Sequence, residues 1–453
     1  ISNVKEANDY IARVSASEKL LNQLVVQLKL REERGIIAPK FVFEHVIRDS
    51  NNILIGAPFE EGANSTLLAD FAKKVAKLEI SDEEKSTLLE QVKSALVEHL
   101  KPGYQALVSY LTELESKADT KDGAWKLPNG KDFFNNALKR TTTTDLTADE
   151  IHSIGLKEVT RIHQEMRGIM TKVGFEGDLS AFFQFMRDDK QFYYAADSEG
   201  RKRYLDEAVA LIDDMEGRLD SLFLTKPKAK LKVKAVEAFR EKSAGKAFYQ
   251  QPAPDGSRPG VYYANLYDME SMPTYQMAAL AYHEGIPGHH MQIAIKQELT
   301  GIPKFRKFGG YTAHTEGWGL YSEMIPKEIG LYQDPYSDFG RLAMELWRAC
   351  RLVVDTGIHT QKWTREQGIA YYVENTPNAK SDAVKMVERH VVMPSQATAY
   401  KIGMLKIIEL REKARVALAE QFDIRDFHDV VLKNGPVPLN LSLIHISEPT
   451  RPY

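Results

Sequence analysis

Apolar residues recur at helical spacing along most of this 453-residue chain, whereas segments of strand-like composition are few. Thr147–Glu150 has the sequence of a capping box and predicts a helix that runs to about Val173. Ser81–Glu84 predicts a second helix, interrupted near Pro102. The other helical segments are 200–223, 338–362 and 395–420, and the clearest strand signals are Lys230–Val236 and Gly260–Leu266. The pattern predicts a mainly α fold with a few short strands.

The composition is that of an ordinary globular protein, with 43% hydrophobic and 27% charged residues. The formal net charge of −3 gives no reason to expect a nucleic-acid partner. The single cysteine, Cys350, excludes an internal disulfide and makes a thiolate metal site a poor expectation. No run of about 18 apolar residues is present, so no transmembrane span is expected.

The segment His283–His290 places three imidazoles and one carboxylate within eight residues, and a second carboxylate follows at Glu316. Imidazole together with carboxylate is the ligand set of a catalytic zinc ion. Glu284, next to His283, is the type of group that takes a proton from a water molecule held at such an ion. The segment therefore predicts a metal site.

The histidine spacing differs from that of a regular helical zinc motif. His289 and His290 follow His283 by six and seven residues. A six-residue step turns a helix by about 240°, and a seven-residue step returns to the same face about 10 Å further along. Pro287 and Gly288 predict a break that could bring His289 round to His283. The residues leave open which of the two is the ligand, and whether the histidines only cap and hydrogen-bond.

Further candidates lie downstream. Glu316 is predicted as the third ligand, although a glutamate in the first turn of a helix is favourable without a metal. Glu323 could orient a ligand, but the residues alone favour a surface acid. His290 and His390 are candidates for contacting substrate or supporting a ligand.

Two segments are predicted to meet a substrate. The hydroxyl of Tyr400 could donate to an oxyanion, and Arg389 or Lys401 could bind a substrate carboxylate. The strand Tyr262–Leu266 could pair with an extended peptide, which makes Tyr263 a candidate binding residue.

The phrases VYYANLYD, YHEGIPGHHMQ, TEGWGLYSE and MPSQATAYKIG resemble the bacterial family called domain of unknown function 885. That family is similar to helical gluzincin peptidases such as oligopeptidases and angiotensin-converting enzyme. The resemblance implies a large helical metallopeptidase-like fold, with the short strands beside an active-site cleft. It also implies a location in the bacterial periplasm or cell envelope, because members are often exported or lipid-anchored.

The resemblance further implies roles for individual residues. His283, His289 and Glu316 would hold one zinc ion, Glu284 would be the base and Tyr400 the oxyanion partner. The expected function is a zinc-dependent peptidase that hydrolyses oligopeptides with a metal-activated water. The alternatives are a zinc-dependent amidase on small substrates and a non-catalytic envelope or binding protein that keeps the fold. The chain departs from the family's relatives in its longer histidine spacing and in His390, where an aromatic residue is expected.

The organisation expected is one metallopeptidase-like domain over residues 1–440, with the motifs in about 255–440. The chain begins with Ile1, and residues 441–453 resemble translated sequencing-adapter DNA and are expected to be an artefact. We therefore expect a fragment truncated at both ends. The oligomeric state is left open.

Overall fold

The computed structural model describes residues 1–238, 240–241 and 244–441. The chain divides into two compact units, Ile1–Gly130 and the remainder from Lys131 onward. The prediction of a single domain over 1–440 stays a prediction. The segment 441–453, expected to be adapter-derived, lies outside the described residues except for Leu441.

The first unit is helical. The capping box at Ser81 is present and starts its fifth helix. The interruption predicted near Pro102 is a π-helical segment, Leu96–Leu100, just before the sixth. The helices are α1 (Val4–Ser15), α2 (Ser17–Glu33), α3 (Lys40–Asn52), α4 (Thr66–Val75), α5 (Asp82–Ala95) and α6 (Lys101–Lys117).

The second unit carries the motif segments. The helix predicted to start at Thr147 does so, with Thr147 and Glu150 bonded reciprocally as a capping box. The helices are α7 (Gly130–Thr142), α8 (Ala148–Lys172), α9 (Leu179–Asp188), α10 (Ser198–Arg218), α11 (Met277–Glu284), α12 (His289–Glu298), α13 (Lys304–Phe308), α14 (Thr312–Met324), α15 (Pro335–Thr360), α16 (Arg365–Asn375), α17 (Lys380–Val392), α18 (Ala399–Leu418) and α19 (Ile424–Lys433).

Three short strands form one sheet in the second unit: β1 (Leu231–Ala235), β2 (Ala247–Gln250) and β3 (Gly260–Ala264). The central strand β3 pairs in parallel with β1 and antiparallel with β2. Strands β1 and β3 were predicted. Strand β2 was not, because four residues are too few to show an alternating pattern. The prediction of a mainly α fold with a few short strands is confirmed.

Helix α15 is the centre of the second unit. Every residue from Phe339 to His359 is buried, so the helix is covered on all sides, mainly by α8. Helices α14 and α18 pack so closely that a Cβ atom on Gly317 would lie 2.5 Å from the Cα of Gly403. This packing fixes the segment of Glu316 against that of Tyr400. Among the described residues, every helix is too short or too polar to cross a lipid bilayer.

Candidate metal centre

The helix breaks inside the histidine-rich segment. Helix α11 ends at Glu284 and α12 begins at His289. A backbone bond of 3.2 Å from the nitrogen of His290 to the carbonyl of Gly285 spans the break. Gly288 is required there, because a Cβ atom would lie 2.0 Å from the carbonyl oxygen of His283. The predicted departure from a regular helix is confirmed.

Helix α14 holds this break in place. The indole Nε1 of Trp318 donates to the carbonyl of Pro287 at 2.9 Å, and the Ser322 hydroxyl donates to the same oxygen at 3.3 Å. Both donors are fully buried. An unpaired carbonyl would be costly at this depth, so these bonds stabilise the turn that sets the direction of α12.

The break brings His283 and His289 together. Their ring centroids are 4.6 Å apart, with the rings nearly perpendicular. Glu316, on α14, places Oε2 at 3.8 Å from Nε2 of His283 and at 3.4 Å from Nε2 of His289. One ligand atom from each of the three residues lies within 4.8 Å of the other two. These are the three residues predicted as metal ligands.

This geometry fits a zinc ion. Three ligands at roughly 2.0–2.2 Å from a tetrahedral ion lie about 3.3–3.6 Å from one another, close to the two distances to Glu316. Gly319, one turn after Glu316, makes room for the site. A Cβ atom there would lie 2.9 Å from Nε2 of His283 and 3.1 Å from Cε1 of His289.

Glu323 is not the surface acid that the residues favoured. It is 1% exposed, and its Oε1 lies 2.7 Å from Nδ1 of His283. The tyrosine hydroxyl of Tyr332 donates to the backbone carbonyl of Glu323 and helps to fix this end of α14. The prediction of a surface position for Glu323 was wrong because the turn of α14 that carries this residue faces α11. The spacing of residues along the chain does not show which helix packs against that turn. A carboxylate bound to the outer nitrogen of a ligating histidine is the usual support of such a ligand.

The charges of the cluster stabilise one another. Burial disfavours an imidazolium, but the carboxylates of Glu316 and Glu323 outweigh it and raise the pKa of His283 to about 9. Burial also disfavours the carboxylate of Glu316, but the imidazoles of His283 and His289 hold its pKa well below the usual range. Nδ1 of His289 is buried without a hydrogen-bond partner.

Glu284 lies beside the cluster without joining it. It is the last residue of α11 and 7% exposed. Its carboxylate makes no hydrogen bond to the described residues, in contrast to Glu323. It is close enough to the buried hydroxyl of Tyr262 to matter electrostatically: burial, the neighbouring Tyr204 and Glu284 all raise the pKa of Tyr262 well above its usual value.

His290 points away from the cluster, toward the sheet. Its Nε2 donates to the carbonyl of Ala229 at 2.9 Å, and the hydroxyl of Tyr249 lies 3.0 Å from its Nδ1. Burial lowers the pKa of His290, which keeps the ring neutral. Both ring nitrogens therefore have protein partners, and the ring links α12 to β2 and to Ala229, two residues before β1.

Tyr400 lies at the start of α18, one turn before the close contact of α18 with α14. It is 8% exposed, and its hydroxyl makes no hydrogen bond within the described part of the chain. The guanidinium of Arg351 lies 4.5 Å from the centre of its ring. The side chain is thus held by its ring and keeps its hydroxyl available.

The two cations predicted to bind a carboxylate have other surroundings. Lys401 is fully buried, and its Nζ lies 2.6 Å from Glu345 and 2.8 Å from Glu158. Burial disfavours ionised Glu345, but Lys401 and Arg161 outweigh it and lower its pKa to about 2. Arg389 is exposed on α17 and donates to Gln396 at 3.3 Å.

His390 belongs to a buried polar network. Its Nδ1 lies 3.1 Å from the carboxylate of Asp355 and its Nε2 lies 2.8 Å from the hydroxyl of Tyr372. Asp355 also accepts from the backbone nitrogen of Ser395 at 3.0 Å. Burial and nearby Arg351 hold the pKa of His390 well below its usual value. Because both ring nitrogens are paired with protein groups, the surroundings of His390 indicate a structural role.

The expectation that Tyr262–Leu266 pairs with a substrate is wrong for the strand itself. β3 is the central strand, so both of its backbone edges are already bonded to β1 and β2. Tyr263 stacks on Phe248 at 4.9 Å and lies in the small apolar cluster of the sheet. Because strand β2 was not predicted, one edge of β3 was expected to be free to pair with a peptide.

Comparison with known proteins places the chain in a family. Residues 1–442 match the family described as bacterial protein of unknown function, domain of unknown function 885. The chain belongs to this family. No curated protein matches it.

Two solved structures have the same fold. A protein from Colwellia psychrerythraea, described as a "putative lipoprotein", is 35% identical and aligns with a TM-score of 0.94 over 99% of this chain and 76% of its own. A second, from Shewanella oneidensis and described as a "putative lipoprotein of unknown function", is 19% identical with a TM-score of 0.72, over 97% and 78%.

A third structure, described as a "putative oligoendopeptidase F" from Bacillus anthracis strain Ames, is 15% identical. It covers 98% of this chain and 78% of its own, with a TM-score of 0.32. A similarity of this size carries no argument about fold or activity. The chemistry of the family member described here therefore has to be argued from its own residues.

Proposed function

We propose that this protein is a zinc-dependent peptidase that hydrolyses oligopeptides. The observation that carries the proposal is the convergence of His283, His289 and Glu316, which offer three ligand atoms within 4.8 Å of one another. Two imidazoles and one carboxylate from separate helices are a recurring set in zinc hydrolases. The carboxylate of Glu323 on His283 and the space left by Gly319 support the same interpretation.

A bound zinc ion would supply a Lewis acid that lowers the pKa of a water molecule and polarises a carbonyl. Glu284 is the residue that takes the proton of the attacking water and returns it to the leaving amine. Its carboxylate has no hydrogen-bond partner among the described residues and is next in sequence to a proposed ligand, which suits this role. Tyr400 donates its unpaired hydroxyl to the oxyanion that forms on the scissile carbonyl.

We also propose that the protein acts in the bacterial cell envelope. The support is the description of the Colwellia psychrerythraea and Shewanella oneidensis relatives as "putative lipoprotein". An envelope peptidase would meet peptides released during protein turnover outside the cytoplasm.

The test is a digest of a defined oligopeptide mixture by zinc-loaded protein, read by mass spectrometry. We expect cleavage that stops when zinc is removed with a chelator and returns when zinc is added back. The Glu284→Gln variant is the control for a contaminating peptidase. Protein with full zinc occupancy that cleaves no peptide in the mixture would contradict the proposal.

A further inference from the structure

One face of α15 is the least buried part of that helix. Met344, Trp347, Arg348 and Arg351 are 6–9% exposed, whereas the other side chains from Phe339 to His359 are 0–4% exposed. Their spacing of three, four and seven residues puts them on a single face. This face of α15 therefore meets a little solvent, and two of its four side chains are cationic.

Arg351 has no anionic partner there. No hydrogen bond or ion pair reaches its guanidinium from the described residues, and its Nε is buried without a partner. The centre of the Tyr400 ring lies 4.5 Å from its guanidinium carbon. Arg341, on the same helix, differs: it pairs with Asp338 at 2.8 Å and Glu345 at 3.5 Å.

Arg348 is only partly paired. It donates to the carbonyl of Met344 at 3.1 Å and lies 3.5 Å from the carboxylate of Glu323, while its Nε is buried without a partner. Among the described residues, the two guanidiniums share one ion-paired carboxylate, that of Glu323. Burial and the charge of Arg348 lower the pKa of Arg351, but arginine stays charged in proteins.

A buried cation without a counter-ion is costly, because neither water nor a carboxylate compensates for its desolvation. An anionic ligand would supply the missing charge, and a guanidinium fork matches a carboxylate with two parallel hydrogen bonds. The unpaired arginine is thus explained if an anion from outside the chain binds at this face of α15.

This face of α15 lies near the proposed metal ligands. A single oxygen of Glu323 separates the guanidinium of Arg348 from the ring of His283. Arg351 follows one turn along the helix, roughly 4.5 Å further. An extended peptide residue spans about 3.3–3.6 Å, so an anion at these arginines would be a few residues from a carbonyl at the centre.

We propose that Arg351, with Arg348 beside it, binds the C-terminal carboxylate of a peptide, so that hydrolysis releases a few residues from the C-terminus. The inference rests on the proposed peptidase function and adds the substrate class. An acidic side chain near the scissile bond carries the same chemical group, and the experiment separates the two sources.

The kinetic test compares three peptides of one sequence: one with a free C-terminal carboxylate, one amidated, and one amidated with glutamate as the last residue. We expect the wild-type protein to prefer the free carboxylate by roughly 30- to 4,000-fold in kcat/KM, the range for truncating a buried charge pair. Arg351→Met should lose this preference, so that its kcat/KM values for the free and the amidated peptide become nearly equal. Arg415→Met, which removes an exposed cation paired with Glu412, should keep the preference.

Arg351→Met removes a buried charge that has no anionic partner among the described residues, so the variant should fold; a thermal melt no lower than that of the wild type checks this. A binding test needs no activity. In zinc-loaded Glu284→Gln protein, N-acetyl-Ala-Ala should bind more tightly than its amide by calorimetry. The added change Arg351→Met should remove the difference, and any contribution of zinc is common to both proteins.

Equal cleavage of the three peptides would overturn the inference and leave the peptidase proposal standing. Preference for the amidated glutamate peptide over the free carboxylate would also overturn it, in favour of an acidic side chain. Cleavage of none of them would contradict the peptidase proposal and the release of C-terminal residues. The calorimetric comparison would then still decide whether Arg351 binds a carboxylate.

Discussion

Nδ1 of His283 lies 2.7 Å from Oε1 of Glu323. This contact turns Nε2 of the same ring toward Glu316 and His289, because the two nitrogens of an imidazole face opposite ways. Glu323 is buried and lies on α14, the helix that also carries Glu316 and Gly319. One helix thus supplies a proposed ligand, the support of another ligand and the space between them.

Replacing Glu323 should weaken metal binding although it is not a proposed ligand. Glu323→Gln removes the charge that raises the basicity of His283, and we expect zinc affinity to fall about 10- to 100-fold. Glu328→Gln, which removes a carboxylate paired with Arg411, is the control and should bind zinc normally. Unchanged affinity in Glu323→Gln, measured by competition with a chromophoric chelator, would argue against the supporting role.

Replacing Glu284 and Glu316 in turn should distinguish the proposed base from the proposed metal ligand. Glu284→Gln is expected to lower kcat by about 10²- to 10⁴-fold with bound zinc nearly unchanged, because only proton transfer is lost. Glu316→Gln should lose zinc, and more of it than Glu323→Gln, because a proposed anionic ligand is removed. Elemental analysis beside kinetics decides the matter; equal zinc loss in both variants would mean that Glu284 is wrongly assigned as base.

Gly319 provides a test that changes no polar group. Gly319→Ala puts a methyl group about 3 Å or less from the His283 ring, so one imidazole must move and zinc affinity should fall at least tenfold. Gly168→Ala is the matched control. It lies inside α8 with nothing within 4 Å of the added carbon and should raise helix stability by up to about 1 kcal/mol. Normal zinc binding by a folded Gly319→Ala protein would contradict the packed geometry.

Asp355 should give the fold a distinct pH dependence. Burial raises the pKa of Asp355 to about 7, although nearby His359 and the nitrogen of Ser395 oppose the shift. The folded state therefore holds this proton more tightly than the unfolded state, whose pKa is about 3.9. The contribution to stability is present below about pH 4 and is lost as pH rises to about 7, by a few kcal/mol at most.

The variant Asp355→Asn should remove that component while keeping the bond from Ser395. Chemical unfolding of both proteins between pH 4 and 8 measures it as a difference, which cancels the contributions of other groups. We expect the variant to lose less stability than the wild type over this range. Parallel curves would show that Asp355 titrates normally in the fold.

The sequence predicted the parts of this fold that depend on neighbours along the chain. The capping box at Thr147 and the break at Pro287-Gly288 follow from local backbone chemistry, and both are present. Glu323 could not be placed in this way, because its burial depends on how α14 packs against α11. The same holds for Lys401, whose partners Glu345 and Glu158 lie on other helices.

The sequence analysis did not identify Gly319 or Arg351 as residues of the site. Only Gly319 could have been recognised from the sequence. Gly319 follows Gly317 by two residues in the same helix. Glycine is unfavourable inside a helix unless close packing requires it. Arg351 looks like an ordinary helical arginine in sequence. Its missing partner becomes visible only when every neighbouring helix is in place.

The central claim is that His283, His289 and Glu316 bind one zinc ion. The most direct measurement is X-ray diffraction from crystals of zinc-loaded protein, recorded on both sides of the zinc absorption edge. We predict one anomalous peak at about 2.0–2.2 Å from Nε2 of both histidines and from a Glu316 oxygen. The absence of a peak between these atoms at full zinc loading, or a zinc ion bound by His290 instead, would contradict the account.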